Sequence, residues 1–287
     1  MKLHPLEIVS GLSKKEFKEK YVNTKTPVVL TDFVGGPALT TWNYDYFKQI
    51  AGNDQVEVHG SEQAHKDKLS SAPVGKMLFQ DYLDIIQSGP SEKRLFLFNL
   101  LLEKPEIRKQ LHFNKIVDNL VTLLPLMFFG AEGSSTRYHY DIDMSHVFLT
   151  QFAGRKKVYL FPKEQSALLY RLPYNFHGIA DLKNPDYEQF PALKYIEGWE
   201  CTIGFGETVF MPAGYWHYVQ YETGGYSVSV RALSSSAYDR LEGFRNLVLI
   251  RGFDNAMRRI FKDKWYQYKV KSAFQKASKT MEEYNKN

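Results

Sequence analysis

Two histidines and an aspartate stand out for the chemistry they could do together. His139-Tyr140-Asp141 opens the stretch TRYHYDIDMSHVFLTQFAGRKKVYLFP, Thr136 to Pro162. On a strand, side chains alternate with period two, which puts that imidazole and that carboxylate on one face. The second histidine closes Gly206-x5-Pro212-x-Gly214-x2-His217. Its glycines and proline suit a tight turn between two strands, leaving His217 directed inward from the start of the second. Two imidazoles and one carboxylate on rigid strands are the ligand set of a non-haem Fe(II) facial triad, which leaves positions open for reactants. Between the two motifs Lys156 sits among apolar neighbours, a costly place for an unpaired ammonium.

Each of these residues also has an ordinary reading. With 8 His and 32 acidic residues in 287, about one His-x-acid pair arises by composition alone. A second copy, His65-Lys66-Asp67, falls in the polar, aperiodic run 59–73 and reads as solvated surface. The His139 copy differs in lying on a barrel-like strand, where ligands can be held to the tolerance a metal requires. Its alternative is a core histidine salt-bridged to aspartate. For Lys156 the alternative is a lysine snorkelling from a strand end between Arg155 and Lys157.

The elements that would position these groups are short strands. Alternation and turn residues predict strands at 136–142, 146–153, 156–161, 199–203, 208–211, 216–222 and 226–233, a density that argues for a sandwich or barrel. Before them, 1–123 reads as an α/β flank. It has a capping box at Ser13–Glu16, strands at 27–31, 56–58, 94–98 and 124–129 (the last leading into the barrel), and helices at 43–50 and 76–87. The insertion 162–195 has little periodicity apart from a short helix near 163–169. After Ser236, apolar residues from Leu241 to Tyr268 recur at helical spacing in two helices broken near Gly252. The expectation is one structural unit: flank 1–123, barrel core 124–233 and helical segment 234–287.

Composition narrows the class. The chain is 44% hydrophobic and 24% charged, as ordinary globular proteins are, and a net charge of +5 makes no strong nucleic-acid footprint. The lone cysteine, Cys201, excludes an internal disulfide or multi-cysteine metal site and is compatible with a reducing cytoplasm. No secretory signal or membrane-length apolar run is visible, so no membrane association is expected.

His139-x-Asp141, Gly154-Arg155-Lys156 with the following VYLFP, and the Gly206–His217 spacing together resemble JmjC-type, cupin-like Fe(II)/2-oxoglutarate-dependent oxygenases. Within them the chain looks most similar to the asparaginyl hydroxylase that inhibits hypoxia-inducible factor, and the tRNA wybutosine hydroxylase is similar. TPVVLTDF, PALTTW, MLFQDYLDII with RLFLF, and KNPDYEQFP recur in the family's order, so the resemblance covers nearly the whole chain. It implies a mainly-β fold, a double-stranded β-helix or jelly-roll cupin barrel, with the α/β flank and C-terminal helices around it. It also implies Fe(II) held by His139, Asp141 and His217, and 2-oxoglutarate paired with Lys156 and hydrogen-bonded by Thr136, with O2 as the oxidant. The expected reaction is hydroxylation of a protein side chain, with succinate and CO2 released. A tRNA or small-molecule substrate, a non-enzymatic cupin-like binding module, and a cupin enzyme without 2-oxoglutarate are the alternatives. A homodimer through the C-terminal helices is implied as well.

Three departures qualify the resemblance. Phe96 replaces a family tyrosine that donates to the cosubstrate, and Tyr221 stands where asparagine is frequent. Arg231 replaces an asparagine on the last barrel strand. It shares a face with Ser227 and Ser229, opposite Val228 and Val230. If that face is interior, Arg231 could supply the missing donor to the cosubstrate or bind an acidic group of the substrate; if not, it points to solvent. His146, Asp143 and Tyr138 lie near the His139 strand and could line its entrance, but read first as ordinary polar residues of a strand edge, and Thr136 could equally be a surface strand threonine.

Overall fold

Three of the expected strands form with the bounds read from the sequence, His146–Ala153, Lys156–Phe161 and Thr208–Met211, in a computed structural model that describes residues 1–60, 73–95 and 98–286. In chain order the strands of the flank are β1 (Lys2–Pro5), β2 (Ile8–Val9), β3 (Val28–Leu30), β4 (Val34–Gly35), β5 (Gln55–His59), β6 (Pro73–Leu78), β7 (Arg94–Leu95) and β8 (His112–Phe113). The remainder are β9 (Leu120–Gly130), β10 (His146–Ala153), β11 (Lys156–Phe161), β12 (Glu197–Ile203), β13 (Thr208–Met211), β14 (Trp216–Tyr221) and β15 (Gly225–Ala232).

They make two main sheets, ordered β1-β12-β11-β14 and β2-β3-β13-β10-β15-β9-β7-β5-β6. Val147, Leu149, Val209 and Met211 of the larger sheet pack against Val158, Leu160, Ile203 and Val219 of the smaller one. The opposite face of the larger sheet carries Phe148, Phe152, Phe210, Tyr226 and Val228, covered by Phe17, Phe47 and Phe79 of the flank helices. Because both faces are covered, β10 is buried almost throughout, its polar His146, Thr150 and Gln151 included. This is the mainly-β jelly roll expected from the strand pattern. The flank adds β2, β3, β5, β6 and β7 to one sheet and β1 to the other.

Turn chemistry fixes the registers. Gly154 joins β10 to β11 at φ +70°, and a Cβ there would lie 2.3 Å from the Gly224 carbonyl oxygen, so only glycine fits. Gly214 takes φ +80° in the turn before β14. That turn sets the phase of β14. Trp216 and Tyr218 face outward into an aromatic cluster with Tyr138 and Tyr140, while His217, Val219 and Tyr221 face the space between the sheets.

Several local expectations change. Residues 136–142 are extended but form no strand of their own; they follow β14 through isolated bridges, Ser135 to Gln220 and His139 to His217. The shift of register between these bridges is a bulge-like irregularity that breaks the regular ladder. The helix expected at 76–87 begins at Phe79, because residues 76–78 pair with β5. The capping box is present, with Glu16 N donating to Ser13 Oγ at 3.2 Å and Ser13 N to Glu16 at 2.9 Å. The C-terminal break is not at Gly252. The helix Ala237–Arg245 continues through Asn246–Ile250 into the long helix Arg251–Tyr284, whose only non-helical residue is Lys262 at φ 48° and ψ −124°. His65, Asp67 and Phe96 lie outside the described residues. Among the described residues no helix is long and apolar enough to cross a membrane.

Candidate metal centre

His139 and His217 are locked to each other by backbone. Each N–H donates to the other's carbonyl, at 3.1 Å and 2.8 Å, which sets their rings side by side with centroids 4.3 Å apart. Each ring then turns its Nδ1 to the carbonyl two residues earlier: His139 to Arg137 O at 2.7 Å, and His217 to Tyr215 O at 3.3 Å. A carbonyl can only accept, so Nδ1 carries the proton and Nε2 keeps its lone pair for a cation. Asp141 completes the group, and one ligand atom from each of the three residues lies within 4.8 Å of the others. This is the one such group of three or more His, Cys, Asp or Glu found among the described residues.

The electrostatics suit a cation. Burial, reinforced by His217, pushes His139 down to about 3, and burial lowers His217 as well, so both imidazoles are neutral donors at neutral pH. Burial alone would raise Asp141, but nearby positive charge, the Arg231 guanidinium foremost, outweighs it and holds the carboxyl below its usual value. Arg231 Nη2 donates to Asp141 Oδ1 at 2.9 Å and Nη1 to Asp143 Oδ2 at 2.9 Å. Arg231 therefore faces the interior, with Ser227 and Ser229, and its charge is engaged by two carboxylates on the metal side of the cavity.

A cavity of about 670 Å³ opens beside these residues. Leu126, Phe128, Val147, Leu149, Met211 and Val219 wall it, and His139, Asp141, His217, Thr136 and Lys156 line it. Lys156 is only 2% exposed, so it does not snorkel. Its Nζ donates to Ser227 Oγ and lies 4.2 Å from the centre of the Tyr221 ring. The tyrosine at the atypical family position thus places an electron-rich face against the ammonium. Among the described residues no carboxylate is paired with Lys156, and burial drives its pKa well below the ordinary lysine value. The Thr136 hydroxyl is buried with no hydrogen-bond partner among the described residues. A buried cation without an anion and a buried hydroxyl without a partner, in one cavity, fit a small carboxylate ligand.

Other groups at the site were not legible in the sequence as part of it. Asp143 meets Arg231 across 88 positions, a pairing that no local pattern announces, although its period-two spacing from Asp141 is visible. Asn175, Phe176 and His177 reach the cavity from the aperiodic insertion, and Arg251, Asp254, Asn255 and Arg258 reach it from the long C-terminal helix. Arg251 and Arg258 belong to the basic C-terminal run visible in the sequence, and helical spacing sets these four helix residues on one face. Tyr138 and His146 are buried rather than at an edge. Tyr138 Oη donates to Leu169 O at 2.7 Å, and His146 Nδ1 accepts from Ala213 N at 3.1 Å. Trp216 is a core residue, packed on Tyr138 and Tyr140.

The profile of the cupin-like domain family matches residues 14–233. Among curated proteins, the tRNA wybutosine-synthesizing protein 5 of Homo sapiens is 26% identical over 265 residues, covering 84% of this chain and 82% of that protein. The lysine-specific demethylase JMJ30 of Arabidopsis thaliana is 30% identical over 238 residues, covering 77% of this chain and 53% of the relative. The lysine-specific demethylase 8 of Xenopus tropicalis is 24% identical over 228 residues, covering 76% and 50%. The chain therefore spans about half the length of these two demethylases.

Proposed function

The chain belongs to the cupin-like domain family, and from that footing we propose that it is an Fe(II)- and 2-oxoglutarate-dependent oxygenase that hydroxylates a C–H bond of a macromolecular substrate. The observation that carries the reading is the shared cavity. It combines a two-histidine, one-carboxylate cluster with a buried lysine that has no anionic partner among the described residues. A cupin enzyme without 2-oxoglutarate, or a binding module without chemistry, has no need of both.

His139, Asp141 and His217 would hold the iron. Lys156 and Thr136 would take the distal carboxylate of 2-oxoglutarate. Bound iron with 2-oxoglutarate and O2 supplies the oxidising power, one oxygen atom going to the substrate and the other to succinate as CO2 leaves. The protein's own part is positioning. Arg231 holds Oδ1 of Asp141, the two backbone-locked histidines keep their Nε2 atoms in place, and the apolar walls keep water from the reacting groups.

For the substrate, the asparaginyl-hydroxylase-like motifs support a protein side chain presented by an extended segment across the cavity mouth. A second reading has its own observation. Residues 237–287 hold twelve Lys and Arg against six Asp and Glu, so the whole net positive charge of the chain sits there, and Arg251 and Arg258 line the cavity. That distribution suits RNA, the class named in the tRNA wybutosine-synthesizing relatives. We also propose a homodimer through the C-terminal helices, where Tyr238, Leu241, Phe244 and Val248 leave an apolar face in solvent. Succinate release, measured with peptides, RNA and small amines, tests the activity and the substrate class together. Purified protein loaded with Fe(II) that releases no succinate with any of them, or even without substrate, would overturn the oxygenase reading.

A further inference from the structure

Asp141 is held differently from the two histidines. His139 and His217 share a backbone pairing, but Asp141 lies beyond it, on a loop that runs to β10 without a ladder of its own. The loop turns tightly: Met144 N donates to Asp141 O at 3.2 Å, and Met144 takes φ 54°, unusual for a non-glycine residue. An element outside the barrel supports it. Gly243 of the helix Ala237–Arg245 packs so closely that a Cβ there would lie 2.3 Å from the Asp143 carbonyl oxygen. Asn246, itself 1% exposed, donates from Nδ2 to Ile142 O at 3.3 Å.

The same helix buries no large apolar side chain. Its buried residues are Asp239, Glu242 and Gly243, with Asp239 accepting from Lys25 at 2.9 Å and from Ser234 at 2.8 Å, and Glu242 paired with Lys163. The helix is docked by polar contacts and close backbone approach at the loop that carries Asp141, rather than by a share of the core. On the other side of the loop, Asp143 accepts from Ser145 Oγ and from Arg231 Nη1, both at 2.9 Å, and the second Arg231 nitrogen occupies Asp141 Oδ1.

We propose that Asp143, seated by Gly243 and Asn246 of the C-terminal helix, is a positioning residue for the metal carboxylate. By holding one arm of Arg231, it would confine the other arm to Oδ1 of Asp141 and keep the rest of that carboxylate's acceptor capacity for an ion. Without Asp143 the guanidinium is free to take both oxygens of Asp141 in the bidentate geometry that arginine and carboxylate prefer, in direct competition with the metal. The C-terminal segment is then part of the metal site, although it contributes no ligand. This inference rests on the metal-site reading proposed above, so its test carries a control for that reading.

Mn(II) affinity, followed by the electron paramagnetic resonance of the free ion, is measured on the full chain for the parent and for Asp143→Ala, Asp143→Asn, Gly243→Ala and His217→Ala. Groups that orient metal ligands are each worth about tenfold to a hundredfold in affinity. Asp143→Ala is expected to weaken Mn(II) within that range. The isosteric Asp143→Asn, which keeps an acceptor for Arg231, should lose less, and Gly243→Ala should weaken binding by pushing on the Asp143 carbonyl. The melting temperatures of the metal-free proteins identify any variant that fails to fold, and Asp143→Asn remains the informative substitution if Asp143→Ala does so. Unchanged Mn(II) affinity in the folded Asp143 and Gly243 variants, with affinity lost in His217→Ala, would overturn the positioning role and leave the metal site standing. Unchanged affinity in His217→Ala would remove the metal site itself.

Discussion

Lys156→Met removes the buried ammonium that lines the proposed 2-oxoglutarate site and keeps a side chain of similar length. In the parent, Lys156 is held by Ser227 and by the faces of Tyr221 and Phe128, so among the described residues it has no anionic partner before the ligand carboxylate. A charge-assisted hydrogen bond in such a site is worth about 1.5–3 kcal/mol, or roughly tenfold to a hundredfold in affinity. Thermal melting reads this directly. With the Mn(II) form of the parent at 2-oxoglutarate concentrations of about 100 times its Kd, the ligand adds about 2.7 kcal/mol. For a chain of this size that is a rise of roughly 5 °C in Tm. If the substitution weakens Kd about thirtyfold, the same concentration is only about three times Kd, and the gain falls to about 0.9 kcal/mol, a rise of less than about 2 °C.

The metal-free protein should move the other way. Burial lowers the lysine's pKa, so below the ordinary lysine value the unfolded chain binds a proton that the folded interior disfavours. The cost to folding is present at neutral pH and fades as pH rises through 10.5, the ordinary value. Lys156→Met is therefore expected to raise Tm most near neutrality and progressively less towards pH 10. A 2-oxoglutarate shift equal in mutant and parent would refute the assignment of Lys156 as the anchor.

Asp141→Ala and His217→Ala should each lose most of their bound iron, measured as metal content after dialysis, and turnover with it; full occupancy in both would contradict the triad. His146 supplies a pH dependence away from the metal. Burial pushes it down to about 4 from 6.5, so it is neutral when folded, and its stability contribution is present above pH 6.5 and lost as pH falls towards 4. At pH 4.5 that loss is about 2–3 kcal/mol, and metal-free His146→Gln should show a smaller drop in urea midpoint between pH 7 and 4.5 than the parent. Sedimentation at micromolar concentration should give a dimer, and Leu241→Arg, on the exposed apolar face, should give a monomer; a monomeric parent would end the dimer proposal. Binding to RNA should weaken steeply between 50 and about 200 mM salt, whereas a peptide held by backbone hydrogen bonds should respond much less; turnover found only with RNA would displace the protein-substrate reading.

Most of the strands, and the three residues that could hold a metal, were already legible in the sequence because their determinants are local, whereas the strand expected at 136–142 does not form. Alternation gives a strand's two faces, and glycine or proline in a turn gives its end, so β10, β11 and β13 could be bounded from their own residues. The same logic put His139 and Asp141 on one side and His217 just after a Gly214 turn. Periodicity does not say which partner lies across the sheet or whether a face is interior. Only the tertiary structure decided that Arg231 points inward to join Asp141 and Asp143, that Lys156 is sealed under Tyr221, and that Tyr138 and His146 are buried. It also brought His177 from an insertion without pattern, and Arg258 from a helix whose break lies at Lys262 rather than Gly252. These groups meet through long-range packing, where the free energy of burial and pairing is realised only once distant segments are together, and no local run of residues encodes it.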